Sequence, residues 1–280
     1  LREGLESSVE RVQDANDNLR SEISETENSF AFSEDFAKDV EPWVSRDMLT
    51  GREIVVLTFD GTNGAVLDSV RGAIDASQGE IVTTLNFSDQ LALQNEPERE
   101  QLATILGSVS SDPAELRRQT ASIVGSGMGE IAGDVQDGGG QRLMTTIGAL
   151  DEEGFMSVDR TNPESEMVPA GASFIVVGGA TDESPFPVAQ FVERLSVTLR
   201  RAGARAVVGE SSPSVWGIVQ TIRDSGEART LVPTVDQVEK AQGRIAVVLA
   251  LELPESEVAQ HYGINPGADD GQIPVPPGGE

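Results

Sequence analysis

A single histidine, His261, serves the whole chain, and there is no cysteine. That scarcity decides much of the available chemistry. A serine or threonine triad needs a base held within hydrogen-bond reach of the nucleophile. His261 stands beside Tyr262 at the start of a Gly- and Pro-rich stretch, a poor place to preorganise one. Copper and other soft-metal sites draw on Cys, Met or His, yet Met48, Met128, Met144, Met156 and Met167 show no M-x-x-M grouping. Carboxylates are abundant, but no D-x-D-x-D-G calcium loop occurs. GSGMG, from Gly125 to Gly129, has the composition of a phosphate loop without the preceding strand or the following Lys-Ser/Thr. It reads as flexible linkage between helices. These residue types lead to an expectation of no catalytic set, no metal site and no cofactor.

Two strand ends hold the remaining candidates. TFDGTNG, Thr58 to Gly64, nearly spells the D-x-D-G-T signature of haloacid-dehalogenase-type phosphatases, whose first carboxylate is the nucleophile. Thr58 stands at that position, so the attacking group is gone and Asp60 or Thr62 reads as a strand-end and helix-capping residue. FIVVGGATDES, Phe174 to Ser184, ends where open α/β sheets bind ligands, beyond the carboxyl ends of their strands. Asp60, Gly178 and Gly179 are therefore the expected rim of any pocket.

The elements that must position these residues follow from the apolar pattern. EIVVLTF (Glu53–Phe59) and EIVTTLNF (Glu80–Phe87) are buried-strand runs flanking the helical spacing of AVLDSVRGAIDAS, a βαβ unit. Residues 97–150 read as two or three helices, and FMSV near Phe155 as a short strand. FIVVGGA then predicts a strand, Val188–Arg201 a helix, ARAVVGE from Ala204 a strand, and Val215–Arg223 a helix. ARTLV at Ala228 reads as a strand, VDQVEKAQ as a short helix, and RIAVVLALEL from Arg244 as the last and strongest strand. The alternation predicts an α/β fold over residues 41–262, Rossmann-like with a largely parallel sheet and flanking helices. From Gly263 to residue 280 the Gly, Pro and Asp content predicts a disordered tail.

Ahead of this lies a long helix, residues 1–40, ended by Glu41-Pro42-Trp43 because proline disfavours helix in the residue before it. Leu5, Val12 and Leu19 fall at d positions of a heptad, and Val9, Asn16, Ile23 and Phe30 at a positions. Leu at d, β-branched residues at a and one polar a residue suit a parallel dimer. Against it, Thr26 occupies a d position, and Glu22 at g would face a partner's Glu27. A single amphipathic helix laid on its own domain is the other reading. Phe30, Phe32, Phe36 and Trp43 are the partner-binding candidates, with packing onto the chain's own head as the alternative.

Acidic residues number 47 against 20 basic, a formal charge of -27, which opposes nucleic acid and anionic lipid as partners. The longest apolar run, IAVVLAL, is too short to cross a bilayer, a span of about 20 residues. The chain opens on Leu1, which suggests that a membrane anchor has been cut away upstream. Zero cysteines suit an oxidising, extracytoplasmic setting.

In order, the stalk, the joint DMLTGREIVVLTF, the strand FIVVGGA and the closing PTVDQVEKAQGRIAVVLALELPESEVAQHYG resemble one family. It is the actinobacterial envelope family of mycobacterial copper transport protein B-like (SteB-like) proteins. The stretch Pro233–Gly263 carries most of the likeness. The resemblance implies one transmembrane helix before the stalk, placing this region outside a cell membrane it spans once. It implies either of two roles. One is copper efflux or resistance. The other is the exported half of a SteA–SteB-type membrane complex that acts in septation and helps activate peptidoglycan hydrolases, with a hydrolase or its regulatory segment as partner. A transporter needs several spanning helices or a closed barrel, which the pattern lacks. The expected role is therefore a dimeric scaffold whose partners are a SteA-type membrane protein and a peptidoglycan hydrolase.

Overall fold

A computed structural model describes residues 2–133, 139–252 and 258–274, with side chains described from residue 11 onward and for 140–252 and 258–274. The chain begins with helix α1 (Arg2–Val44) and enters the sheet at β1 (Glu53–Phe59). Helix α2 (Gly64–Ala76) returns it to β2 (Glu80–Phe87). Helices α3 (Glu96–Leu106), α4 (Pro113–Ala132) and α5 (Gly139–Glu152) lead to β3 (Met156–Arg160) and β4 (Ser173–Gly178). Then come α6 (Val188–Arg201), β5 (Arg205–Glu210), α7 (Ile218–Asp224), α8 (Ala228–Leu231) and β6 (Thr234–Asp236). Helix α9 (Ala241–Glu252) and β7 (His261–Tyr262) complete the described elements.

The seven-stranded sheet runs β3-β2-β1-β4-β5-β6-β7, with only β3 antiparallel. The central strands β1 and β4 are almost wholly apolar because both faces of the sheet are covered. Along β1, Val55, Leu57 and Phe59 enter the core shared with α4 and α6, while Ile54 and Val56 enter the core beneath α2 and α9. On β4, Phe174 and Val176 face the first core and Ile175 and Val177 the second. This is the expected α/β architecture with its long N-terminal helix.

Several expected elements change type. The apolar run Ile245–Leu251 is helix α9, because a short run buried on every side suits a packed helix as well as a strand. Ala228–Leu231 is a helical turn fixed by the burial of Ala228, and the expected helix at VDQVEKAQ begins instead as strand β6. GSGMG is no linker: it lies inside α4. There a Cβ on Gly125 would collide with Thr198 Oγ1 of α6, and one on Gly129 would come within 2.5 Å of the Ala202 Cβ. The glycines allow two helix backbones to approach closely.

Helix α1 also runs past the expected end at residue 40, carrying Pro42 inside it and ending at Val44. Proline removes one hydrogen bond near the end, where few bonds follow. The last turns are held from outside: Glu34 and Ala37 are buried, and Glu41 on the same face binds Arg244 of α9 at 2.7 and 2.5 Å.

The expected tail is, over its first part, fastened to the head. His261 and Tyr262 pair as β7 beside β6, both buried. The Asp236 carboxylate accepts the amides of Ile264 (3.0 Å) and Asn265 (3.2 Å), and Gly263 N donates to Gly271 O. Composition pointed to disorder because a contact from a distant aspartate leaves no local trace.

Candidate functional site

In an open parallel sheet the ligand crevice lies where chain direction across the sheet reverses. Here that is between β1, which is followed by β2 on one side, and β4 on the other. The three expected rim residues, Asp60, Gly178 and Gly179, all stand at these strand ends. What surrounds them is protein.

Asp60 accepts from Asn86 Nδ2 at 2.6 Å and from Asp89 N at 3.1 Å, so its carboxylate ties the end of β1 to the segment after β2. Thr58, at the position of the missing nucleophile, is buried in the strand. The Trp216 indole fills the crevice between the strand ends. A Cβ on Gly61 would lie 3.4 Å from its ring, and one on Gly178 would lie 3.3 Å from it and 2.6 Å from Ile218 Cδ1. Trp216 Nε1 donates to Asp182 O at 2.9 Å, fastening the plug to the loop after β4. At the end of β5 the buried Glu210 is used up as well: it accepts from Ser214 Oγ (2.8 Å) and, at the start of α7, from Val219 N (2.8 Å). Sequence reading missed both Trp216 and Glu210. Neither lies in a motif, and only the packing of the loop before α7 brings them to the crevice.

His261, the one histidine, is committed through both ring nitrogens, to Thr234 Oγ1 (2.8 Å) and Arg229 O (2.9 Å). Burial lowers its pKa, and the charges of Arg223 and Arg229 lower it further, against the opposing effects of the Arg229 carbonyl and Asp270. Met128 and Met156 are core residues. Among the described residues no group of three or more His, Cys, Asp or Glu is arranged to hold a metal ion.

Helix α1 is the other candidate surface. Val12, Leu19, Ile23 and Phe30 are 68%, 57%, 56% and 55% exposed along one line, with Asn16 exposed among them. Leu5 and Val9 belong to the same line, but their side chains lie outside the described residues. Lower down, this face becomes the one that holds Ala37 and Glu41 against α9, and Lys240 sits 5.2 Å over the Phe30 ring at the junction. Phe32, Phe36 and Trp43 are also exposed, but on another face, roughly 140° around the axis at 3.6 residues per turn. Arg46 covers the Trp43 ring at 5.6 Å. The four aromatic candidates therefore divide: Phe30 joins the heptad line, and the other three form a separate outward stripe.

Fold and site define a class: an α/β head of doubly wound type, its switch-point crevice filled by a tryptophan, joined to a long helix with exposed apolar faces. The chain belongs to the family described as "Copper transport outer membrane protein, MctB", which matches residues 1–273. The protein named "Copper transporter MctB" from Mycobacterium tuberculosis (strain ATCC 25618 / H37Rv) is 24% identical over 277 residues, covering 94% of this chain and 84% of that protein. Its namesake from Mycobacterium leprae (strain TN) is 24% identical over 245 residues, covering 82% and 76%. Among the described residues no helix is long and apolar enough to cross a membrane.

Proposed function

We propose that this chain is the extracytoplasmic part of a membrane-anchored, non-enzymatic scaffold of the actinobacterial cell envelope. Two copies pair through α1 and dock partner proteins, a SteA-type membrane protein and a peptidoglycan hydrolase acting in septation. One observation carries the reading: an apolar heptad line lies open to solvent on α1 and runs into the face that anchors the helix to the head. A second α1 would cover that line in parallel, with Asn16 meeting its twin. The outward stripe of Phe32, Phe36 and Trp43 remains free for a partner helix, a docking mode that needs an apolar strip and a polar rim. The filled crevice at β1 and β4 supports a head that presents surfaces rather than turning over a substrate.

Sedimentation of the purified chain tests the pairing. The parent is expected to be dimeric at micromolar concentration and the Asn16→Glu/Leu19→Glu variant monomeric; a monomeric parent removes the scaffold's basis. Turnover of a generic phosphate ester, abolished by Asp60→Asn, would overturn the non-enzymatic part.

Copper efflux or resistance is the second reading, favoured by the names of the family and its relatives. Soft donors suit Cu(I), and here the sole histidine is bonded through both nitrogens while two of the methionines sit in the core. Calorimetric titration with Cu(I) separates the readings: stoichiometric submicromolar binding would favour copper handling.

A further inference from the structure

A second concavity lies away from the switch point, between the first turns of α4 and the outer face of α6. It encloses about 400 Å³, within the range of small-molecule sites. Pro187, Phe191 and Val197 give it an apolar floor. That floor is rigid, because Phe191 is locked edge-on against Phe87 (4.9 Å between centroids) and Phe59 (6.1 Å) at the end of the core.

Arginines line its walls in a chain whose net charge is -27. Arg117 spends one terminal nitrogen on the carbonyls of Leu91 and Ala92, both at 3.2 Å. Arg194 uses only Nε, donating to Ser122 Oγ at 2.7 Å. Among the described residues the other guanidinium N–H groups of these two side chains have no protein acceptor. Burial lowers the pKa of Arg117, against the pull of Asp112, which marks this guanidinium as partly out of water. The neighbouring cations and anions are mostly neutralised. Arg118 is paired with Glu115 and Glu227 with Arg201, leaving Glu193 as the opposing carboxylate on the rim. Unspent, partly desolvated guanidinium donors above an aromatic floor suit a ligand with an anionic head and an apolar body, since charge-assisted bonds to carboxylate or phosphate are the strong ones.

We propose that the α4–α6 groove binds a free single-chain amphiphile, with its carboxylate or phosphate head on Arg117 and Arg194 and its chain on Pro187, Phe191 and Val197. The site is independent of α1 and of any pairing between copies.

Binding of dodecyl phosphate to the full chain, measured by calorimetry below the micelle concentration, tests this. Dodecyl trimethylammonium serves as the opposite-charge control. Saturable one-to-one binding of the phosphate is expected, with the ammonium at least about tenfold weaker. Arg194→Met should weaken the phosphate about fivefold, with Arg194→Lys recovering part of the loss. Gln190→Trp, at an exposed groove position, should block binding while leaving the circular dichroism melt unchanged. Equal affinity for both head groups, binding indifferent to Gln190→Trp, or binding only to anionic vesicles would overturn the proposal.

Discussion

Arg223 and Asp236 form an ion pair at 2.8 Å with both side chains shut off from solvent. The guanidinium also donates to Thr234 Oγ1 and Tyr262 O, each at 2.9 Å. The second function of Asp236, accepting the amides of Ile264 and Asn265, makes this pair the lock on the chain's closing segment. Removing one partner strands a buried charge, which costs about 3–5 kcal/mol, whereas removing both does not. Arg223→Met and Asp236→Asn should each lower urea stability by about that amount. The Arg223→Met/Asp236→Leu double variant should lose clearly less than the two single losses combined. Additive losses would mean the residues act separately.

His261 belongs to the same cluster and gives it a pH dependence. Burial is the largest cause of its lowered pKa. A base whose folded pKa lies below its unfolded value of 6.5 binds fewer protons when folded, so stability rises with pH between the two values. Its contribution is complete above 6.5 and is lost as the pH falls below that point. Unfolding midpoints in urea should therefore drop on going from neutral to mildly acidic buffer. His261→Gln, which can keep a donor toward Arg229 O, should flatten that slope; a slope unchanged by the substitution would place the sensitivity elsewhere.

Trp216 gives a direct test of the filled crevice. It is 6% exposed and packs over Gly61 and Gly178. Truncating a buried tryptophan costs about 3–5 kcal/mol when the site cannot collapse. The strand ends of β1 and β4 are held by Asn86, Asp89 and Gly179, so collapse should be small. Trp216→Ala is expected to destabilise by that order and to open a cavity that takes up a small aromatic such as indole, seen as a rise in melting temperature on its addition. A loss below about 1 kcal/mol would show that the tryptophan only rests on the surface.

The sequence made the inner sheet legible because β1, β2 and β4 are buried on both faces, and a β-branched run bounded by polar residues states that plainly. It also placed Asp60, Gly178 and Gly179 at the carboxyl ends of strands, but that these ends flank the switch point follows only from the order of strands in the sheet. It misplaced α9 because Ile245–Leu251 is buried all round and shows neither period clearly. Other features exist only through distant contact. The glycines of α4 make sense only once Thr198 and Ala202 of α6 lie against them, and the closing segment only once Arg223 and Asp236 meet. The groove arginines lie far apart in the chain and become one site only because α4 packs on α6.

The attachment of α1 is the feature on which any scaffold role depends. Arg244 of α9 donates through Nε and one terminal nitrogen to the two oxygens of Glu41, with both side chains only 12–13% exposed. A bidentate pair of this kind fixes direction as well as energy, and with Ala37 and Glu34 it sets the angle at which the helix leaves the head. Because α9 is, among the described elements, the one against which α1 chiefly packs, losing the pair should loosen the helix end without opening the sheet. Arg244→Met is expected to cost roughly 2 kcal/mol locally, and hydrogen exchange can show where. Amides from Glu34 to Ser45 should lose at least about tenfold protection while those of β1 and β4 keep theirs. Equal loss across the sheet would mean that α1 is an integral part of the head's core, and that its exposed heptad line has no independent lever behind it.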